Sequence, residues 1–206
     1  MCMPIGQSAS RRTGKCQRCQ DKELDGLYFA LPYKEKSLTR KLIHQFKYKP
    51  YLKDLAKTLA SILAEHFFIS GKNTNEIWEN SILVPVPLDK KKIKERGYNQ
   101  SKELAKELSK IIKIPVLNDF LIKTKHTESQ AGLGKAEREK NLQGAFAIKN
   151  GGMSDIPQFL DKKIFLVDDV YTTGSTMQEC ARVLQQPTNG YPGAKSVWGI
   201  CIAREG

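Results

Sequence analysis

Residues 163–176 read Lys163-Ile164-Phe165-Leu166-Val167-Asp168-Asp169-Val170-Tyr171-Thr172-Thr173-Gly174-Ser175-Thr176. An unbroken apolar run predicts a strand buried on both faces. Two carboxylates emerge where it ends, the place at which open α/β sheets hold ligands. Thr172 to Thr176 then opens a helix predicted over 175–185. Hydroxyls, a glycine and the unpaired N–H groups of a helix start can surround a phosphate. Acids just ahead of such a turn suit a sugar phosphate, its hydroxyls to the carboxylates and its phosphate to the loop. Other phosphate-binding signatures are missing: there is no Walker A loop, and Gly132-Leu133-Gly134 lacks a third glycine and a preceding strand.

Working outward, strands alternate with helices. Gly26–Tyr33 has strand composition. A helix is predicted from Ser37, with Leu38, Leu42, Ile43 and Phe46 on one face and Lys49-Pro50 ending it. Leu52, Leu55, Ala56, Leu59, Ile62, Leu63 and Phe67 space a second helix. Ile82–Pro85 reads as a strand followed by a long basic loop. Asn99–Lys113 reads as a helix burying Leu104, Ala105, Leu108, Ile111 and Ile112. Residues 123–143 read as a mobile loop, and 145–148 and 196–203 as strands. The pattern predicts an α/β fold with a mostly parallel sheet flanked by helices.

Of the 206 residues, 40% are hydrophobic and 27% charged, which excludes a disordered chain. The longest apolar run, around residues 81–88, is broken by Pro85 and Pro87, so no membrane insertion is expected. Met1-Cys2-Met3-Pro4 leads into polar residues without a secretory pattern, and five cysteines do not make an even disulfide framework. A cytoplasmic protein is expected. The net charge of +12 is uneven: residues 1–150 carry 29 Lys/Arg against 16 Asp/Glu, the remainder 5 against 6. Such a basic surface points to anionic partners.

Residues 164–176 resemble the phosphoribosyl pyrophosphate (PRPP) motif of type I phosphoribosyltransferases; Tyr171 is bulkier than the aliphatic residue common there. Together with Val84-Pro85-Val86-Pro87, Arg96-Gly97-Tyr98-Asn99-Gln100, and Gln130, Arg138, Asn141 and Gly144-Ala145-Phe146, the chain resembles the ComF family (ComFC and its GntX-like relatives), associated with natural competence and DNA uptake. The resemblance implies a type I phosphoribosyltransferase fold over 27–206 and a small zinc-finger-like module over 1–26. It implies that Asp168 and Asp169 hold the ribose hydroxyls, with Val170 beside them, and that Thr172, Thr173, Gly174, Ser175 and Thr176 bind the 5′-phosphate. The loop after Pro87 would meet pyrophosphate through Arg96, with Lys94 a second candidate, and Gln130 and Arg138 would reach in from a closing loop. Mg²⁺ would accompany PRPP. Single-stranded DNA and a competence helicase are the further partners implied.

Cys16-Gln17-Arg18-Cys19 has zinc-ligand spacing, with Cys2 near enough to join. The family's four-cysteine module would place a partner at position 5, which is Ile5. A fourth ligand from an N-terminal residue, from His44 or His66, or from nowhere all stay open, as does a degenerate module without Zn²⁺. Cys180 and Cys201 read as buried core thiols. Three functions compete: a Mg²⁺-dependent phosphoribosyltransferase, a single-stranded-DNA-binding factor, and a PRPP sensor without turnover. The second draws on Tyr28, Phe29, Tyr33, Phe46, Tyr48 and Tyr51 interleaved with Lys34, Lys36, Arg40, Lys41, Lys47 and Lys49; at least half of those rings are expected in the core.

Overall fold

A computed structural model describes residues 23–69, 77–125, 135–149, 162–187 and 192–205, and of residues 135, 136, 138 and 139 the backbone only. Cys2, Cys16, Cys19 and Gln130 lie outside the described residues, as does the side chain of Arg138. The elements run β1 (Gly26–Pro32), α1 (Leu38–Lys47), α2 (Leu55–Ile69), β2 (Ser81–Pro85), α3 (Lys90–Arg96), α4 (Gln100–Ile112), β3 (Leu121–Lys123), α5 (Lys135–Leu142), β4 (Phe146–Ile148), β5 (Lys163–Tyr171), α6 (Ser175–Gln185) and β6 (Val197–Arg204).

Four strands form a parallel sheet in the order β1-β6-β5-β2. β5 lies inside it, with Val84 opposite Leu166 on one side and Asp168 opposite Cys201 on the other. Alternation along β5 explains its continuous apolar run. Ile164 and Leu166 pack into a core with Met177, Cys180, Ala181 and Leu184 of α6. Phe165 and Val167 enter a second core with Ile43, Phe46, Leu59, Leu63, Leu104 and Leu108 from α1, α2 and α4. Helices thus cover both faces, as parallel sheets require. Burying a ring such as Phe165, fully enclosed, stabilises the fold by about 2–3 kcal/mol. Leu24, inside the span read as a separate module, is buried in the first core, and Asp25 N–H donates to Val197 O at 2.8 Å.

Several local expectations change. The basic stretch after β2 is helix α3: the Asp89 carboxylate accepts from Lys91 N–H at 2.8 Å, and Gly97 closes the last turn at φ 84°. The stretch read as a mobile loop contains Lys123 of β3 and all of α5, and β3 pairs with β4 antiparallel in a separate two-stranded sheet. On α1 only Ile43 and Phe46 are fully buried, and Leu38 stands exposed. Ile111 of α4 is likewise exposed, because the helix meets the sheet over Leu104, Ala105 and Leu108. Among the described residues, no helix is long and apolar enough to cross a membrane.

Candidate functional site

At the carboxyl ends of β2 and β5 lies a cleft of about 270 Å³. β5 contributes Asp168, Asp169 and Val170, with Thr172 and Thr176 just beyond. Its other walls are Val86, Pro87, Leu88 and Asp89 after β2, Lys92 and Arg96 of α3, and Asn99, Gln100 and Ser101 at the start of α4. Tyr33, Lys47, Tyr48, Lys123 and Phe146 complete the lining.

The two acids are held differently. Asp168 Oδ1 accepts from Ser101 Oγ at 2.8 Å and from the Asp169 N–H at 2.9 Å. Burial, and then the neighbouring Asp169 charge, raise the Asp168 carboxyl from its ordinary value to about 7. Asp169 is buried, and its Oδ1 lies 2.8 Å from Lys47 Nζ. Burial alone would lower the Lys47 ammonium; attraction from Asp169 and Asp168 overcomes it and leaves the group above its ordinary value.

Gly174 takes a left-handed conformation at φ 81° ahead of α6. A Cβ there would also collide with the Tyr171 ring, so both backbone and space require glycine. Thr173 Oγ1 and Ser175 Oγ are 3.0 Å apart, and the first-turn N–H groups of α6 are beyond the reach of intrahelical carbonyls. These hydroxyls and N–H groups are donors of the kind that can hold an anion at a helix start. In the same cleft Arg96 stacks over Tyr48 at 5.7 Å, and its Nη1 is buried without a hydrogen-bond partner among the described residues. A cleft lined by a guanidinium, two carboxylates and threonine hydroxyls has the donors and acceptors that an anionic ligand carrying hydroxyls would need.

Residues 93–187 match the family model for the phosphoribosyl transferase domain. Competence protein F of Haemophilus influenzae is 35% identical over 149 residues, covering 70% of this chain and 61% of that protein. DNA utilization protein YhgH of Escherichia coli is 31% identical over 160 residues, 78% of this chain and 65% of the relative. Competence protein ComFC of Bacillus subtilis is 34% identical over 103 residues, 50% and 38% respectively. The chain belongs to the ComF family. This ComF chain spans less than two thirds of the length of these curated relatives.

In this ComF protein the segment 96–101 organises the cleft residue by residue. Arg96 faces in. Tyr98 Oη donates to Phe46 O at 2.6 Å, pinning the end of α1. Asn99 caps α4 by accepting from Ser101 N–H at 3.0 Å, and its Nδ2 donates to Val86 O at 3.0 Å. Ser101 holds Asp168.

Of the residues expected at the site, Asp168, Asp169, Val170, Thr172, Thr176, Pro87 and Arg96 line the cleft, while Thr173, Gly174 and Ser175 form the turn behind it. Lys94 does not line it: α3 turns Lys92 and Arg96, four apart, to one side. Sequence reasoning missed Lys47, Lys92, Ser101, Lys123, Tyr33 and Tyr48 as cleft residues. Ser101 and Lys92 carried a signal, through the cap at Asn99 and the four-residue spacing to Arg96; Lys47 carried none, because its role depends on how α1 crosses β5. Of the rings offered for base stacking, Tyr28 and Phe46 are core, and Lys47 is engaged by Asp169.

Proposed function

We propose that this ComF protein binds PRPP with Mg²⁺ and transfers its phosphoribosyl group to an acceptor, in a competence-related process. The observation that carries the reading is that one cleft is lined by the Asp168–Asp169 pair, by Thr172 and Thr176, and by Lys92 and Arg96, whose Nη1 is buried with no hydrogen-bond partner among the described residues.

In the reaction the C1–oxygen bond to pyrophosphate breaks, the ribose gains oxocarbenium character, and the acceptor forms the new bond at C1. Arg96 and Lys92 meet the departing anion with fixed charge. Asp168 and Asp169 accept hydrogen bonds from the ribose hydroxyls and lie near the positive charge that develops on the ring. Thr172 to Thr176 and the start of α6 hold the 5′-phosphate, so the sugar is fixed at both ends. Mg²⁺ would supply further neutralisation of the pyrophosphate, carried in with PRPP over the same carboxylates. Release of pyrophosphate from PRPP in a panel of nucleobase and amine acceptors tests the transfer: acceptor-dependent release is expected, and PRPP binding without release to any acceptor would favour a sensor.

A second reading, single-stranded-DNA binding, is favoured by one observation. Beside the cleft runs an open trough of about 920 Å³ whose lining carries Lys90, Lys91, Lys123, Lys125 and Lys149 against the carboxylates of Asp89 and Asp119. Phosphodiester contacts there would weaken steeply with salt. The names of the relatives, competence and DNA utilization proteins, accord with such a role.

A further inference from the structure

Lys47 sits at the last position of α1 and reaches across to the end of β5, where its ammonium is 2.8 Å from the Asp169 carboxylate. The pair is enclosed, the Asp169 side chain 5% exposed and that of Lys47 25%. The peptide leading into Lys47 is itself fixed, since Phe46 O accepts the buried Tyr98 hydroxyl at 2.6 Å. A carboxylate gripped by a buried ammonium has one oriented oxygen and loses rotational freedom. Asp168 is oriented separately, by Ser101 and by the Asp169 N–H.

We infer that Lys47 is the positioning residue for Asp169, and that the pair sets selection of ribose over 2-deoxyribose. The inference rests on the PRPP reading and deepens it. A carboxylate held at one oxygen presents the other to a ribose hydroxyl at a fixed place. A sugar lacking that hydroxyl leaves an ionised buried oxygen unpaired, and that penalty is what discriminates. Lys47 needs no contact with the sugar for this.

The test is titration of ribose 5-phosphate, 2-deoxyribose 5-phosphate and inorganic pyrophosphate, each with Mg²⁺, into wild type, Lys47→Met, Lys47→Arg and Asp169→Asn. Wild type should prefer the ribose compound by roughly tenfold, the scale of one charge-assisted hydrogen bond. Lys47→Met should lose that preference while keeping pyrophosphate affinity within about twofold, and Lys47→Arg should restore most of it. Full discrimination by Lys47→Met overturns the inference. Equal loss of pyrophosphate affinity does so too, since Lys47 would then be a pyrophosphate ligand. Should Lys47→Met not fold, the Lys47→Met/Asp169→Asn double variant, which leaves no unpaired carboxylate, decides. It should discriminate no worse than Asp169→Asn alone, and losses that multiply contradict the positioning role. Wild type that binds neither sugar phosphate sinks the PRPP reading and this inference together; binding without a Lys47 effect sinks only the inference.

Discussion

Ser101 Oγ donates to Asp168 Oδ1 at 2.8 Å, joining the start of α4 to the end of β5. With the Lys47–Asp169 pair it makes each acid at the end of β5 answerable to a different helix. The two acids are therefore supported from α1 and α4, which both contribute to the second core.

Asp168 gives a pH prediction with a definite sign. Its folded value, about 7, lies above the unfolded one, so protonated Asp168 contributes stability at low pH that is lost as pH rises through 7. Ribose hydroxyls need the ionised acid as acceptor. PRPP binding should hence strengthen between pH 6 and 8 and release a proton near neutrality. Titrations in buffers of different ionisation enthalpy should show this release in wild type and a smaller one in Asp168→Asn, whose remaining release comes from the ligand's own phosphates.

Arg96 should separate binding from stability. Because its Nη1 satisfies no group among the described residues, Arg96→Ala should cost only its stacking over Tyr48, about 1 kcal/mol or less. Affinity for Mg²⁺-pyrophosphate should fall by about tenfold or more. A large drop in thermal stability with unaltered pyrophosphate binding would contradict the assignment.

Breaking the buried pair should be costly in one direction only. Lys47→Met leaves Asp169 buried without its cation, which costs about 3–5 kcal/mol in comparable pairs. Removing both charges, in Lys47→Met/Asp169→Asn, should recover much of that loss. Urea unfolding of wild type, Lys47→Met, Asp169→Asn and the double variant reads the coupling directly.

Gly174→Ala should damage the turn ahead of α6 twice. The left-handed backbone costs roughly 1–2 kcal/mol for a residue bearing Cβ, and the methyl collides with Tyr171. Tyr171→Val removes the collision but empties a buried ring site, so it costs stability of its own; Gly174→Ala should therefore cost less in the Tyr171→Val background than in wild type. An equal cost of Gly174→Ala in both backgrounds would show that Tyr171 does not constrain the turn.

How much of this could be read in the residues follows from where each interaction is made. The parallel sheet and the turn were legible because β5 and α6 are local: the run 164–167, the acids and the Gly174 turn lie within a dozen residues. The helix over Ser175–Gln185 ends where its apolar spacing ends. Helix α3 was hidden by its charge, since Lys90–Arg96 has no buried residue; the Asp89 cap and Gly97 were the only signs of it. β4 was legible as the strand read over 145–148, but its partner β3 was missed, because a three-residue strand carries no period. Lys47 looked like one more surface lysine, and nothing near it in the sequence says that Asp169 lies beside it. Tyr98 was legible as part of a motif, but its bond to Phe46 O needed the fold.

The most direct test of the central claim is calorimetric titration of PRPP with Mg²⁺ into wild type and into Asp168→Asn/Asp169→Asn. Saturable binding to wild type, lost in a double variant that still unfolds cooperatively, is the predicted result. A folded wild type that takes up no PRPP, or a double variant that binds it as tightly, would contradict the claim that this cleft is a PRPP site.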